Sequence, residues 1–279
     1  RDVAPSRGLG DVYKRQLFQL SNDFHVRKVM RNYLPNDEES KHFACLLQWD
    51  NIYYQEPTEE YISPKTTVRV GLVQWQMRSY KTLDDLFEQV EFFVDSVSGY
   101  QSDFVLFPEY FNAPLMARFN DASESQAIRG LARYTDEIRE RFINLAIRYN
   151  INIITGSMPL IKEDGLLYNV GFLCRRDGTY EMYEKLHVTP DEMKCWGLSG
   201  GKAIRTFETD CAKIGVLICY DVEFPELSRI MASEGMQILF VPFLTDTQNA
   251  YSRVRVCAHA RAIENECFVV IAGLSLIHI

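Results

Sequence analysis

The sequence predicts an α/β fold in which helices cover β-rich layers. From Thr67 onward, short apolar runs typical of strands alternate with longer segments of helical periodicity. An Asp-Gly pair between two further apolar runs indicates a hairpin and makes the fold β-rich. The 279 residues, 47% of them hydrophobic, are enough for one large domain and part of another.

The main domain is predicted to span residues 67–273. Strands are expected at the apolar runs 68–75, 104–107, 151–155, 212–218, 238–241 and 267–272. Helices are expected where apolar residues recur at spacings of three and four, at about 83–97, 128–149, 224–234 and 249–265. The hairpin covers 167–183, with its turn at Asp177 and Gly178.

Residues 17–62 form a separate region. Two strand-like runs, 24–34 and 43–54, are too little to bury a core alone. The polar stretch 55–65 contains two prolines and indicates a linker.

Both ends of the chain resemble translated sequencing adapters. Codons for Asp11–Gln16 can be complementary to codons for Leu274–Ile279 over six consecutive positions. We therefore expect residues 1–16 and 274–279 to be artefacts. On this hypothesis the native sequence is a fragment, and its last domain lacks its C-terminal end.

Composition excludes several classes of function. A net charge of −8 without Lys/Arg clusters argues against nucleic acid or an anionic membrane as partner. No apolar run reaches the roughly 18 residues of a membrane span, and no secretory signal opens the chain. The seven cysteines are scattered without a C-x-x-C pair, which indicates reduced thiols and a cytoplasmic protein. The histidines show no metal-ligand spacing, so neither a metal nor another cofactor is predicted for this domain.

Three reactive side chains each follow a predicted strand. Cys219 ends an apolar run just before a helix, whose N-terminus would favour a thiolate. Glu109 follows VLFP at 105–108, where desolvation would raise the pKa of its carboxyl and make it a general base. Lys185 follows the hairpin and could stabilise an oxyanion. Taken alone, Cys219 would more often be an inert core thiol, but the three together indicate nucleophilic catalysis.

The segments VLFPEY (105–110), YEKLHVTPDE (183–192) and ICYDVEFPE (218–226) resemble three blocks of the nitrilase, or carbon-nitrogen hydrolase, superfamily. Their order and spacings of 76 and 34 residues also fit. The resemblance implies a four-layer αββα sandwich, with Glu109 as base, Lys185 as oxyanion donor and Cys219 as nucleophile. It also implies that the Tyr220 backbone N–H is a second oxyanion donor and that Glu192 positions the base or substrate.

Other residues near the three blocks have a structural and a functional interpretation. The pocket candidates could instead be packing or loop residues: Phe111, Asn112, Phe243 and Thr245. His187 is interpreted as structural, and Asp221 and Arg229 as residues that cap and hold the following helix.

Residues 24–54 resemble the closing strands of an acetyl-CoA-dependent N-acetyltransferase, which one nitrilase branch carries ahead of the hydrolase. Acetyl-CoA would then be the cofactor of the upstream domain. Its phosphate loop would precede the printed sequence, so no acetyltransferase residue can be assigned.

The leading functional interpretation is an amidase-like hydrolase of a small molecule that works through a thioester and is a homo-oligomer at full length. Two alternatives remain: an acyltransferase that passes the acyl group to an amine, and a non-catalytic interaction module. The sequence leaves the substrate open, because loops of no fixed length form the walls of such a pocket.

Overall fold

The computed structural model describes residues 24–31, 41–49, 67–119 and 121–275. The chain divides into two compact units, Arg1–Ile62 and Ser63–Ile279. In the first unit, β1 (Phe24–Arg31) and β2 (Phe43–Trp49) pair antiparallel, so the described parts of both predicted strand-like runs are strands. The expected artefact at 1–16, residues 276–279 of the one expected at 274–279, and the predicted linker up to residue 65 lie outside the described residues.

The described residues of the second unit form eleven strands in two sheets. The strands are β3 (Val70–Leu72), β4 (Trp75–Gln76), β5 (Phe104–Leu106), β6 (Asn152–Ile154), β7 (Met158–Ile161), β8 (Leu167–Cys174), β9 (Tyr180–Glu184), β10 (Thr206–Glu208), β11 (Lys213–Val216), β12 (Ile238–Phe243) and β13 (Phe268–Ser275). The first sheet has the order β3-β5-β6-β8-β7, with β9 paired to β8, and the second has the order β10-β11-β12-β13-β4. Parallel and antiparallel pairs occur in both sheets.

Five α-helices accompany the sheets in residues 67–119 and 121–275: α1 (Leu83–Gly99), α2 (Glu124–Leu131), α3 (Thr135–Arg148), α4 (Pro225–Ser233) and α5 (Gln248–Asn265). Helix α1 begins at a capping box in which Thr82 and Asp85 satisfy each other's backbone N–H groups. Helix α4 begins with Pro225. In the first turn of a helix a backbone N–H has no intrahelical partner, so proline, which lacks this group, loses no hydrogen bond there.

Successive side chains of β5 point into two different hydrophobic layers, one on each face of the first sheet. Val105 belongs to the core that α1 and α3 share with the first sheet, whereas Phe104 points the other way. The rings of Phe104 and Phe240 lie 5.3 Å apart, so the two sheets face each other there. Met231 of α4 packs beside Gly215 on the second sheet. Strands covered on both faces explain why every residue of β5, β6, β8 and β12 is buried.

The predicted α/β fold is confirmed, and the structure differs from the predicted elements in three places. The apolar run 68–75 is not one strand, because β3 belongs to the first sheet and β4 to the second. The helical segment 128–149 is interrupted by a 3-10 turn at Ala132–Tyr134, after which the Thr135 hydroxyl donates to the Pro159 carbonyl. The last strand continues past Gly273, and its Leu274 pairs with Trp75.

Within the described residues, no helix is both long and apolar enough to cross a membrane. The same part of the chain holds no cluster of three His, Cys, Asp or Glu side chains suited to a metal ion. Six cysteines of these residues are free thiols: Cys174, Cys195, Cys211, Cys219, Cys257 and Cys267.

Candidate active site

Glu109 lies just beyond β5 and is buried. Its side chain is 2% exposed, and its backbone forms an isolated bridge to Ser157. Oε1 accepts a hydrogen bond of 2.9 Å from Asn169 Nδ2, and Oε2 accepts one of 2.9 Å from the Leu244 N–H. A buried carboxylate needs such donors, because its transfer from water into the protein interior without a partner would cost on the order of several kcal/mol. These bonds fix both carboxylate oxygens.

Lys185 follows β9 and is also 2% exposed. Its backbone N–H donates to the Asn169 carbonyl at 2.9 Å, which anchors the residue to β8. Its Nζ donates to Glu109 Oε1 at 2.9 Å and to Glu192 Oε1 at 2.7 Å. An ammonium carries three N–H donors. Two of them are therefore used by carboxylates, and the third is left for another acceptor.

Glu192 opens a short π-helical segment, Glu192–Trp196, at the side of the same site. Its second oxygen accepts from the Thr189 N–H at 2.8 Å, and the Tyr110 hydroxyl donates to Oε1 at 3.4 Å. Glu109, Lys185 and Glu192 thus form one buried cluster of two carboxylates and one ammonium.

Cys219 is the first residue of a 3-10 helix, Cys219–Glu223, that follows β11. Its φ of +47° lies in the left-handed region, as does the φ of +52° at Tyr110. Residues other than glycine rarely adopt this backbone conformation, and those that do often lie at functional sites. The Cys219 thiol donates to the Leu244 carbonyl at 3.5 Å. The backbone of Leu244 therefore contacts both Cys219 and Glu109.

Burial dominates the electrostatics of the cluster. Desolvation raises the pKa of Glu109, and the repulsion of Glu192 adds to it, although the Lys185 charge opposes both. Burial lowers the pKa of Lys185, but the charges of Glu109 and Glu192 outweigh it, so its pKa is raised and the ammonium persists. Burial, and then the Glu109 charge, raise the pKa of Cys219 well above its usual value. This direction is opposite to the one that a helix N-terminus alone would give, because burial and the Glu109 charge both disfavour the thiolate.

Two further predictions concern the segment after Cys219. Tyr220 lies in the first turn of the 3-10 helix, where backbone N–H groups have no intrahelical partner. Asp221 is buried and accepts bonds from the N–H groups of Leu186 and His187 and from His187 Nδ1. It thus holds the segment next to Lys185 instead of capping its own helix. Arg229 donates to the Glu264 carbonyl at 2.6 Å, which holds α4 against α5.

A cavity of about 760 Å³ opens onto Glu109, Lys185, Glu192 and Cys219. Of the four pocket candidates, Thr245 lines this cavity. The structure places the other three in the interior: Phe111 packs edge-on against Trp75, Asn112 is fully buried, and Phe243 lies over Gly273. Tyr110, which separates Glu109 from Phe111 and Asn112, has a left-handed backbone with a φ of +52°.

Sequence reasoning missed two residues that hold Glu109. Asn169 lies in the middle of β8, where all eight residues are buried, and an amide side chain within such an apolar strand was the available signal. Leu244 acts through its backbone, so its side chain carried no signal.

Comparisons with known proteins agree on one family. The model of the carbon-nitrogen hydrolase family matches residues 69–274. A Bacillus subtilis protein named "Probable hydrolase YhcX" is 44% identical over 257 residues, which are 92% of this chain and 50% of that protein. The chain therefore spans half the length of this relative. Human omega-amidase NIT2 is 30% identical over 219 residues, 75% of each chain. Among solved structures, Saccharomyces cerevisiae Nit3 of branch 10 of the nitrilase superfamily has a TM-score of 0.61 at 25% identity, covering 75% of this chain and 76% of that one.

Proposed function

The chain belongs to the carbon-nitrogen hydrolase family, as its sequence predicts, and we propose that it hydrolyses the amide bond of a small molecule through a thioester on Cys219. One observation carries this proposal. Glu109, Lys185 and Cys219 line a single cavity, and both Glu109 and Cys219 bond to the backbone of Leu244. The 30% identity to an omega-amidase supports an amide as the substrate.

In the first half of the proposed reaction, Glu109 accepts the proton of the Cys219 thiol while sulfur attacks the amide carbon. The C=O electron pair moves to oxygen, and a tetrahedral oxyanion forms. Glu109 then donates its proton to the nitrogen, the C–N bond breaks, and ammonia leaves a thioester behind. The raised pKa of Glu109 suits this role, because a carboxyl with such a pKa can both accept and return a proton.

In the second half, water attacks the thioester carbon and gives a proton to Glu109. The second tetrahedral intermediate collapses with cleavage of the C–S bond, and Glu109 protonates the departing sulfur. The carboxylic acid product is released, and the thiol and carboxylate are restored. Each half uses the same proton acceptor, which is why Glu109 must be held from both of its oxygens.

Stabilisation of the oxyanion is assigned to two donors. The third N–H of the Lys185 ammonium is one, because its other two contact Glu109 and Glu192. The Tyr220 backbone N–H, in the first turn of the 3-10 helix, is the other. Loss of one such donor usually raises the barrier by about 3 kcal/mol, so Lys185→Ala should be nearly inactive.

The test is turnover of primary amides by the protein, by Cys219→Ala and by a control, Cys257→Ala, whose thiol lies on α5 outside the cavity. We expect the control to keep full activity and Cys219→Ala to lose it while melting as a folded protein. A mass increase on Cys219 during turnover would identify the acyl-enzyme. Retained turnover in Cys219→Ala would refute the mechanism, and turnover that requires an added amine would establish acyl transfer instead of hydrolysis.

We also propose that residues 17–62 end an acetyltransferase-like domain that uses acetyl-CoA in the whole protein. The antiparallel pair of β1 and β2 is compatible with this assignment. Because the chain spans half of its Bacillus subtilis relative, the test is acetyl-CoA binding by full-length proteins of this type. Absence of binding by calorimetry would refute it.

A further inference from the structure

The cavity over Cys219 carries a large excess of negative charge. Its lining contains two basic residues, Lys185 and Arg253. It contains three times as many carboxylates: Glu109, Glu124, Asp191, Glu192, Glu223 and Asp246. A cleft lined mainly by one sign of charge concentrates ligands of the opposite sign.

Both basic residues already have carboxylate partners. Lys185 lies between Glu109 and Glu192 at 2.9 and 2.7 Å. Arg253 Nε lies 3.3 Å from Glu223 Oε1, and the Arg253 side chain is 62% exposed. An exposed and already paired guanidinium is a weak receptor for a substrate carboxylate.

Three of the carboxylates are left over: Glu124, Asp191 and Asp246. They come from separate parts of the fold, at the start of α2, just before Glu192 and in the loop after β12. All three are exposed, which places them toward solvent instead of in the buried cluster. In the part of the chain that the structure describes, none of them forms an ion pair. Their charge is therefore not neutralised by the protein around the cavity.

We propose that the preferred substrate is a small aliphatic amide whose far end carries a positive charge, such as a primary ammonium. This inference rests on the proposed amidase function and names the substrate class for the same site. The amide group reaches Cys219, and the cationic end remains among the outer carboxylates. A substrate ending in a carboxylate would meet an excess of like charge in the same place.

The test uses three amides with the same chain length: 5-aminopentanamide, hexanamide and adipic acid monoamide. These are cationic, neutral and anionic at pH 7, and they differ only at the end remote from the amide. We expect kcat/KM to be about tenfold or more higher for the cationic amide than for hexanamide, and lowest for the anionic amide. The cationic preference should shrink as salt is added, because the outer carboxylates are exposed.

Variants separate the outer carboxylates from general effects of charge. Asp191→Asn with Asp246→Asn should lower the ratio of kcat/KM for the cationic amide to kcat/KM for hexanamide about tenfold. Glu88→Gln, an equal change of charge on the exposed side of α1 and outside the cavity, should leave all three rates unchanged. Arg253→Gln should leave the cationic amide at least as good a substrate as before.

The outcomes distinguish the two proposals. If the anionic amide is the best substrate and Arg253→Gln abolishes its turnover, the charge inference is overturned while the amidase function stands. Equal rates for all three amides would overturn it in the same way. If no amide is hydrolysed faster than by Cys219→Ala, the amidase function itself fails.

Discussion

Replacing Glu192 by Gln would remove one of the two carboxylates that hold Lys185. Because Nζ lies 2.9 Å from Glu109 Oε1 and 2.7 Å from Glu192 Oε1, the two oxygens are less than about 6 Å apart. At an effective dielectric constant of about 20, two like charges at that separation repel by about 3 kcal/mol. This repulsion is one cause, after burial, of the raised pKa of Glu109. Gln keeps an oxygen that can still accept from the Thr189 N–H.

We therefore expect Glu192→Gln to lower the pKa of Glu109. Activity requires Glu109 in its ionised form, so the acid limb of kcat/KM should move to lower pH. The rate on the plateau should fall, because a weaker base removes the thiol proton less readily.

The assay is the pH profile of kcat/KM for a neutral amide, with Glu88→Gln as the control for a remote loss of charge. The control should reproduce the parent profile. An acid limb that stays in place, or that moves to higher pH, would refute the idea that Glu192 acts on Glu109 through its charge.

Three further predictions concern the two groups that hold Glu109, at Asn169 and Leu244, and one residue of the hydrophobic core, Phe142. Asn169→Ala removes a donor to the Glu109 carboxylate and should lower kcat about tenfold to a hundredfold with little change in KM, measured by steady-state kinetics. Leu244→Pro removes the backbone N–H that bonds Glu109 and should abolish turnover, whereas Leu244→Ala keeps the donor and should retain it; equal activities would contradict this. Phe142→Ala opens a cavity in a cluster of buried rings and should lower the free energy of unfolding by about 3–5 kcal/mol. The control is Phe92→Ala at an exposed position, which should lower it by less than about 1 kcal/mol. Urea denaturation measures both.

The positions of the reactive residues along the chain were predictable, because apolar runs mark the strands that precede them. Glu109 follows β5 and Lys185 follows β9, both in the first sheet, whereas Cys219 follows β11 in the second. Their meeting depends on how two sheets face each other, and periodicity within one segment carries no information about that. Resemblance to known blocks supplied it instead.

The surroundings of the site were less predictable for physical reasons. A tyrosine in the left-handed region is not a pattern that a sequence displays, so the turn at Tyr110 and the burial of Phe111 and Asn112 could not be foreseen. The expectation of a low pKa for Cys219 rested on the helix N-terminus alone. Desolvation depends on every atom around the sulfur, and it reversed the direction.

The left-handed backbone of Cys219 has a consequence for engineering. A non-glycine residue in that region is strained by about 1 kcal/mol or more, and glycine would relieve the strain. Screens that reward thermal stability will therefore tend to accept glycine at position 219 and discard the nucleophile with it. Libraries built to raise the thermal stability of this protein should keep residue 219 fixed, because stability and catalytic activity favour different residues there.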